Sequence, residues 1–579
     1  MNYEPQRQRA LWLGRLLIGG LILITLRLIE TQIIHARYYL DHIAPYVTNA
    51  PHTDMALPGS ILASDHSLLA QSIYSYSLIA DLKVMRQEKE PLAGAAQQLA
   101  QILHQDVASI RKRLEAKSGA GRVLLRQWLE PDQVQAIRDA NISGIILHPT
   151  YKRSYPHGKL AVHVIGTRNQ FHVPLGGIEH RYALLLDGKP SAVTSVADPY
   201  GGPTLGQDGA YLPPVAGLDV MLTLNVKLQS YVEACMDALW ERETPVGATA
   251  VVIKPQTGAI LAVCSRPTFD PNIIVAGADA PKDAKRALTQ DHLTNIAAEQ
   301  DFEPGSTLKV FLAAASLDAG IDPKATHYCP GHFNAGGRPI SCWGEWATRG
   351  HGTVDMERMI AVSCNVAAAQ TALGLGADKY IPFLRLAGFG SPTRAGFHGE
   401  TVGRIPRADN LPKRDLASMG FGQGLSVSSL QLASAAAALA NHGLRMHPHI
   451  LAGVYNKDGT LYKKPELPEP TRICSEETAK TVLHMMQTAV ENGTARVAAI
   501  EGVAVAAKTG TAQKWDPVTR SFPANRHVTS FLTICPADDP QFVIFVACDE
   551  PRRNRHGADT AGPVARDIAD FAMRQLSAR

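Results

Sequence analysis

The amino-acid sequence predicts an α/β (α+β) fold in which a sheet is assembled from hairpins at both ends of a large second domain and covered by helices from its middle. Three observations carry this reading. The apolar runs Ala248 to Ile253 and Ala259 to Ser265 are joined by Lys254-Pro255-Gln256-Thr257-Gly258, a hairpin signal. Near the other end, Thr529 to Cys535 and Gln541 to Cys548 flank Pro536-Ala537-Asp538-Asp539-Pro540. Between the two hairpins lies a largely helical stretch that includes the Ala-rich Ser429 to Asn441, so strands come from both ends and covering helices from the middle.

Each element before the sheet follows from local pattern. The 579 residues exceed one compact core. Leu11 to Leu28 is apolar apart from Arg15, Arg27 and a few small or hydroxyl residues, and about 18 helical residues span roughly 27 Å, close to the hydrocarbon thickness of a bilayer. Arg15 and Arg27 sit near its ends, where long side chains snorkel, and Trp12 suits an interface. No small-x-small cleavage pattern follows, so a retained anchor is expected over residues 11–29, after a cytoplasmic tail of residues 1–10 carrying Arg7 and Arg9. Residues 30–215 read as a mixed first domain, with Tyr74 to Leu82 strand-like and Leu92 to Leu103 and Pro131 to Ala140 helical. Gly and Pro accumulate from Gly188 to Gly217, marking a boundary. The second domain, residues 216–579, opens with Leu218 to Thr223 and a helix through Cys235.

Composition excludes some function classes. Apolar residues make up 45% and charged residues 19%, which argues for folded domains over disorder. The net charge of +4 comes without a long basic run, so nucleic acid is not expected as a partner. Eight cysteines are too sparse for a small disulfide scaffold. Cys329 and Cys342 flank the Gly-rich segment Pro330 to Ser341, where a disulfide, two free thiols or a metal half-site are all open. No nearby second pair at ligand spacing supports a metal, and none is expected.

The chemistry is carried by three short motifs. In Glu303-Pro304-Gly305-Ser306-Thr307-Leu308-Lys309, Pro and Gly mark a helix start with Ser306 in its first turn and Lys309 three residues on, on the same face. A serine hydroxyl needs a base, and a desolvated lysine with a lowered pKa supplies one. Ser109-Ile110-Arg111-Lys112 matches the same spacing by chance, but in a charged helix, whereas the Ser306 helix is almost wholly apolar and an unpaired lysine there would be costly. Ser363-Cys364-Asn365 follows, then Lys508-Thr509-Gly510-Thr511. Ser363 can relay a proton, Asn365 can fix a substrate amide, Lys508 can attract a carboxylate, and Gly510 lets a substrate backbone approach the strand edge. Each motif alone is weak. The ordered set is the penicillin-recognising signature.

With these motifs the chain resembles the class B penicillin-binding proteins, the monofunctional transpeptidases, over nearly its whole length. Arg153 to Gly158 with His163 and Gly166, Gly177-Ile178-Glu179, Phe269-Asp270-Pro271-Asn272, Gly420-Phe421-Gly422-Gln423-Gly424 and Gln431-Leu432-Ala433 extend the likeness. Asn at the third position of Ser363-Cys364-Asn365 looks more like the division type than the elongation type. Two segments depart from the pattern. Leu57-Pro58-Gly59-Ser60-Ile61 lacks the arginine usual before that glycine, and His556-Gly557-Ala558 replaces a usual Gly-Gly.

The resemblance implies a penicillin-binding transpeptidase domain with an antiparallel sheet flanked by helices, on a pedestal (dimerisation-like) domain. It implies that Ser306 attacks the penultimate D-Ala carbonyl of a peptidoglycan stem peptide, aided by neutral Lys309. Lys508 and Ser363 would help protonate the leaving D-Ala, and the amides of Ser306 and Thr511 would form the oxyanion hole. An amine of a neighbouring stem would then resolve the acyl-enzyme, with no metal or organic cofactor. The implied partners are stem peptides, β-lactam antibiotics, the lipid bilayer, and a membrane glycosyltransferase with the division machinery, the catalytic domain lying on the periplasmic side of the inner membrane. Alternatives are an elongation-type transpeptidase, a D,D-carboxypeptidase or β-lactamase, and a non-catalytic scaffold or β-lactam sensor.

Overall fold

The computed structural model describes most of residues 55–576, together with residues 12, 14, 17–25, 27 and 30; among the stretches outside the described residues are 31–54, 116–120, 198–202, 206–212 and 517–520. The chain divides into two compact units, residues 1–56 with 188–216, and residues 57–187 with 217–579. Of the first, residues 17–25 are helical and a short hairpin pairs Ser195–Ala197 with Pro203–Leu205. The anchor expected over residues 11–29 lies partly outside the described residues, and no helix among the described residues is long and apolar enough to cross a membrane.

The larger unit is organised around the expected sheet. Five antiparallel strands run in the order Ala506–Gln513, His527–Cys535, Phe542–Asp549, Gly247–Ile253 and Ile260–Arg266. The middle strands are buried on both faces, and Gly247–Ile253 and His527–Cys535 have no exposed position. That is why both read as continuous apolar runs without alternation. One face is covered by Ser429–Ala440, whose twelve residues are all buried and, apart from Ser429, Gln431 and Ser434, apolar. The other is covered by Val226–Glu243 and Ala561–Leu576. The Val226–Glu243 helix runs past Cys235, and its Asn225 cap accepts from the Leu228 amide at 3.0 Å.

A second sheet ties the start of this unit to its middle. Asp219–Leu222 pairs in parallel with Ile61–Leu62 and antiparallel with Leu451–Tyr455, so the strand expected to open the second domain belongs to the sheet of the first. From Ile61–Leu62 that sheet continues through the long strand Leu68–Asp81 to Arg122–Arg126 and Ile145–Ser154. The helices Leu92–Leu103 and Pro131–Ala140 form where the pattern placed them and close a small separate core around Leu78, Leu99 and Ile137.

The residues that carried the pedestal likeness converge on one buried ion group. Glu179, fully buried, accepts from Arg153 Nε at 2.6 Å, from Arg168 Nε at 2.5 Å and from the Tyr155 hydroxyl at 3.2 Å. Burial pushes the Glu179 pKa up, but the two guanidiniums outweigh it and hold the carboxyl below its usual value. Arg153 Nη1 also donates to the Gly59 carbonyl at 2.7 Å. A Cβ on Gly59 would lie 1.8 Å from the Leu218 carbonyl oxygen, so the glycine is required by close backbone packing.

Candidate active site

The catalytic turn is built by glycines that bring backbones together. Gly305, at φ +56°, begins a 3-10 turn over Gly305–Leu308 that passes directly into the helix Lys309–Asp318. Its amide donates to the Gly422 carbonyl at 3.0 Å, and a Cβ on Gly422 would lie 2.0 Å from the Gly305 oxygen. This turn packs on the edge strand Ala506–Gln513, so the first and third motifs meet. Ser363 arrives at the amino end of the helix Asn365–Leu375 in a left-handed conformation, φ +58°, which costs a non-glycine residue roughly 1 kcal/mol. The strained backbone lets both its carbonyl and its hydroxyl face Lys309.

The structure thus brings Ser306, Lys309, Ser363, Asn365 and Lys508 together. Lys309 Nζ, fully buried, lies 3.1 Å from Ser306 Oγ, 2.7 Å from the Ser363 carbonyl oxygen, 3.2 Å from Ser363 Oγ and 2.8 Å from Asn365 Oδ1. Asn365 Nδ2 donates to the Ser341 carbonyl at 3.1 Å, which fixes Oδ1 as the atom facing the lysine. A neutral amine has two N–H bonds and one lone pair. The Ser363 carbonyl and Asn365 Oδ1 can only accept, so they take the two N–H bonds and leave the lone pair for the Ser306 proton. Burial lowers the Lys309 pKa to about 8, against the opposing pull of the Cys364 and Cys342 thiols. At neutral pH much of it therefore stays protonated, a smaller depression than full neutrality requires.

Lys508 is also fully buried, with Nζ 3.0 Å from Ser363 Oγ and 3.1 Å from the Thr509 carbonyl. Burial first, and then repulsion from Lys309, hold its pKa well below the usual lysine value. Its nitrogen faces Ser363 inside the protein, while Thr509 and Thr511 of the same motif line the cleft. A Cβ on Gly510 would lie 2.2 Å from Ser530 Oγ and 2.9 Å from Thr307 Cγ2, so close packing against the neighbouring strand and the catalytic turn by itself requires the glycine.

These groups open into a cleft of about 720 Å³ lined by Ser306, Ser363, Asn365, Thr509 and Thr511. Its rim holds residues that sequence reasoning did not single out, among them Trp343, Arg414 and Asp559, beside Gln423 of the glycine-rich segment that it did. His556-Gly557-Ala558 also lines it. The Gly557 amide donates to Thr511 Oγ1 at 3.4 Å, and a Cβ there would lie 2.4 Å from the Ser530 oxygen, so this motif keeps its essential glycine despite the changed first residue.

For Cys329 and Cys342 the sequence left a disulfide, two thiols and a metal half-site open. Their sulfurs stand 3.6 Å apart as free thiols, beyond the roughly 2.05 Å of a disulfide. The pair is not isolated: Cys364, the middle residue of the second motif, brings its sulfur within 3.8 Å of Cys342, and His351 Nδ1 lies 3.6 Å from Cys329 Sγ.

A serine with a buried lysine at its hydroxyl, opening on a cleft, defines a serine acyl-transfer enzyme. The comparisons make this specific. Residues 248–570 match the penicillin binding protein transpeptidase domain, and residues 54–222 match the penicillin-binding protein dimerisation domain. The chain belongs to the penicillin-binding protein transpeptidase family. It is 28% identical over 501 residues to stage V sporulation protein D of Bacillus subtilis, covering 86% of this chain and 75% of that one. It is 28% identical to the probable peptidoglycan D,D-transpeptidase PenA of Neisseria meningitidis, covering 90% and 85%. The peptidoglycan D,D-transpeptidase FtsI of Escherichia coli is 25% identical, with 83% and 76% covered. Among solved structures, penicillin-binding protein 3 of Mycobacterium tuberculosis complexed with aztreonam is similar at TM-score 0.69 and 25% identity, covering 91% of this chain and 97% of that one.

Proposed function

We infer that the chain is a serine-type D-Ala-D-Ala transpeptidase that cross-links peptidoglycan stem peptides, acts in septal cell-wall synthesis and is a target of β-lactams. The observation that carries this is the convergence of Ser306, Lys309 and Ser363 at hydrogen-bond distance beside the cleft. Neutral Lys309 takes the Ser306 proton as Oγ attacks the penultimate D-Ala carbonyl. The amides of Ser306 and Thr511 receive the oxyanion. Ser363, placed between Lys309 and Lys508, passes a proton to the departing D-Ala. The amine of a second stem peptide then attacks the ester and loses a proton to neutral Lys309, and as Oγ leaves that proton restores the Ser306 hydroxyl.

The relatives named D,D-transpeptidases support this reading, as does the aztreonam complex of the M. tuberculosis protein. The apolar stretch at residues 11–29 serves as a single-pass anchor in the inner membrane, with residues 57–187 and 217–579 outside the cytoplasm and a membrane glycosyltransferase of the division machinery as the partner that supplies glycan. Incubating purified protein with a donor stem peptide and an amine acceptor tests the activity: cross-linked product is expected. Hydrolysed product alone would make it a carboxypeptidase, and turnover of penicillin a β-lactamase. Septal rather than side-wall placement of a fluorescent fusion tests the division role.

A further inference from the structure

We propose that Cys329, Cys342, His351 and Cys364 bind one zinc(II) ion that clamps the wall of the cleft to the second catalytic motif. The four donor atoms all lie within 4.8 Å of one another, and all four side chains are buried. Tetrahedral geometry with Zn–S near 2.3 Å and Zn–N near 2.05 Å sets S···S edges of roughly 3.8 Å and S···N edges of roughly 3.6 Å. The observed separations are 3.6 Å for Cys329–Cys342, 3.8 Å for Cys342–Cys364 and 3.6 Å for Cys329 Sγ to His351 Nδ1. Three thiolates and an imidazole form a donor set that favours zinc over hard, oxygen-seeking cations.

The surrounding chain is shaped to hold the donors in place. Cys329 ends the strand His327–Cys329, whose register sets it opposite Gly352, one residue past His351. Gly350, at φ +68°, is packed so closely that a Cβ would lie 2.3 Å from the Cys329 oxygen. The Cys342 amide donates to the Gly331 carbonyl at 2.9 Å, returning the other end of the loop to the same point. His351 stacks on Trp346, with ring centroids 4.6 Å apart, so its plane is set by packing. Cys364 Sγ already accepts from the Ala367 amide at 3.3 Å at the start of its helix, which fixes the position of the sulfur. Four chain segments thus deliver four metal-type donors to one buried point.

Such an ion would reach the active site through two short connections. Cys364 lies between Ser363 and Asn365, and Ser341, which accepts from Asn365 Nδ2, precedes Cys342. The metal fixes both sides of that hydrogen bond and so holds the strained Ser363 turn facing Lys309. Binding releases the protons of the three thiols, with no redox step.

The test uses the full chain, expressed without a polyhistidine tag, purified under reducing conditions, and analysed for metal by mass spectrometry. An equimolar amount of zinc is expected, most of it lost in Cys342→Ser and in His351→Ala and retained in Cys235→Ser, which alters a cysteine outside the cluster. Should the ligand variants fail to fold, the unmutated protein is stripped with a chelator and refilled with cobalt(II), where a tetrahedral thiolate–cobalt spectrum and a raised melting temperature are expected. Sub-stoichiometric zinc together with no such spectrum would overturn the proposal, as would a Cys329–Cys342 disulfide in protein taken from its native compartment, or zinc loss as great in Cys235→Ser. None of these readouts depends on transpeptidase activity.

Discussion

Lys309 Nζ stands 3.1 Å from Ser306 Oγ, with two obligate acceptors, the Ser363 carbonyl and Asn365 Oδ1, occupying its other directions. This places the base at the nucleophile and makes acylation depend on a single protonation state. Below the Lys309 pKa of about 8 the lone pair is taken up by a proton, and above it the pair is free. The second-order rate of penicillin acylation should therefore rise with pH and level off above about 8; a profile flat through that range would remove Lys309 as the base. Asn365→Asp sets a carboxylate against the lysine, which raises a lysine pKa by about 1–3 units. The midpoint should move up and acylation near pH 7 should fall about 10-fold or more.

Gly510 and Ser530 form a packed pair across neighbouring strands, since a Cβ on Gly510 would lie 2.2 Å from Ser530 Oγ. Gly510→Ala should destabilise the protein by about 1–3 kcal/mol and slow acylation by shifting the strand from the catalytic turn. Gly510→Ala with Ser530→Ala should recover part of both, because the nearest obstructing atom is gone. Thermal melts and acylation rates of the two single variants and the double variant measure the coupling.

The Arg153–Glu179–Arg168 group predicts a large loss from a small change. Glu179→Gln leaves two buried guanidiniums without their shared charge, and breaking such a group costs about 3–5 kcal/mol. Denaturant unfolding should show that loss. A change within experimental error would mean that the network adds nothing to stability.

Asp559 is the carboxylate among the residues lining the cleft, and a hydrolytic enzyme would need such a group to activate water. It sits on the rim beside His556, whose carbonyl accepts from the Asp559 amide at 3.1 Å. On the transpeptidase reading, Asp559→Asn should leave the lifetime of the penicilloyl ester unchanged within about 2-fold. A much longer lifetime in the variant would make Asp559 a deacylating base and favour hydrolysis.

Much of this was legible in sequence because it depends on local signals. Hairpins such as Lys254 to Gly258 announce their own strands, and Ser306 and Lys309 share a face by spacing alone. What long-range pairing decides was not legible. Asp219–Leu222 reads as the first strand of a new domain, yet its partners lie at residues 61–62 and 451–455. Gly510 carries no mark of whether its missing side chain makes room for a ligand or for Ser530. Cys329 and Cys342 read as an isolated pair because His351 and Cys364 follow at spacings that no short metal motif uses, and only the fold brings the four together.

The central claim, that Ser306 alone is the acylated nucleophile, is tested most directly by labelling with a fluorescent penicillin followed by peptide mapping. Ser306→Ala removes one hydroxyl at the start of a packed helix and should abolish the label and cross-linking while the melting temperature holds. Ser109→Ala should change neither, because that serine lies on the helix Val107–Leu114, its Lys112 side chain exposed to solvent, away from the cleft. The account predicts a long-lived adduct on the peptide containing Ser306 and on no other. Label retained in Ser306→Ala, or mapped to another peptide of the unmutated protein, would contradict it.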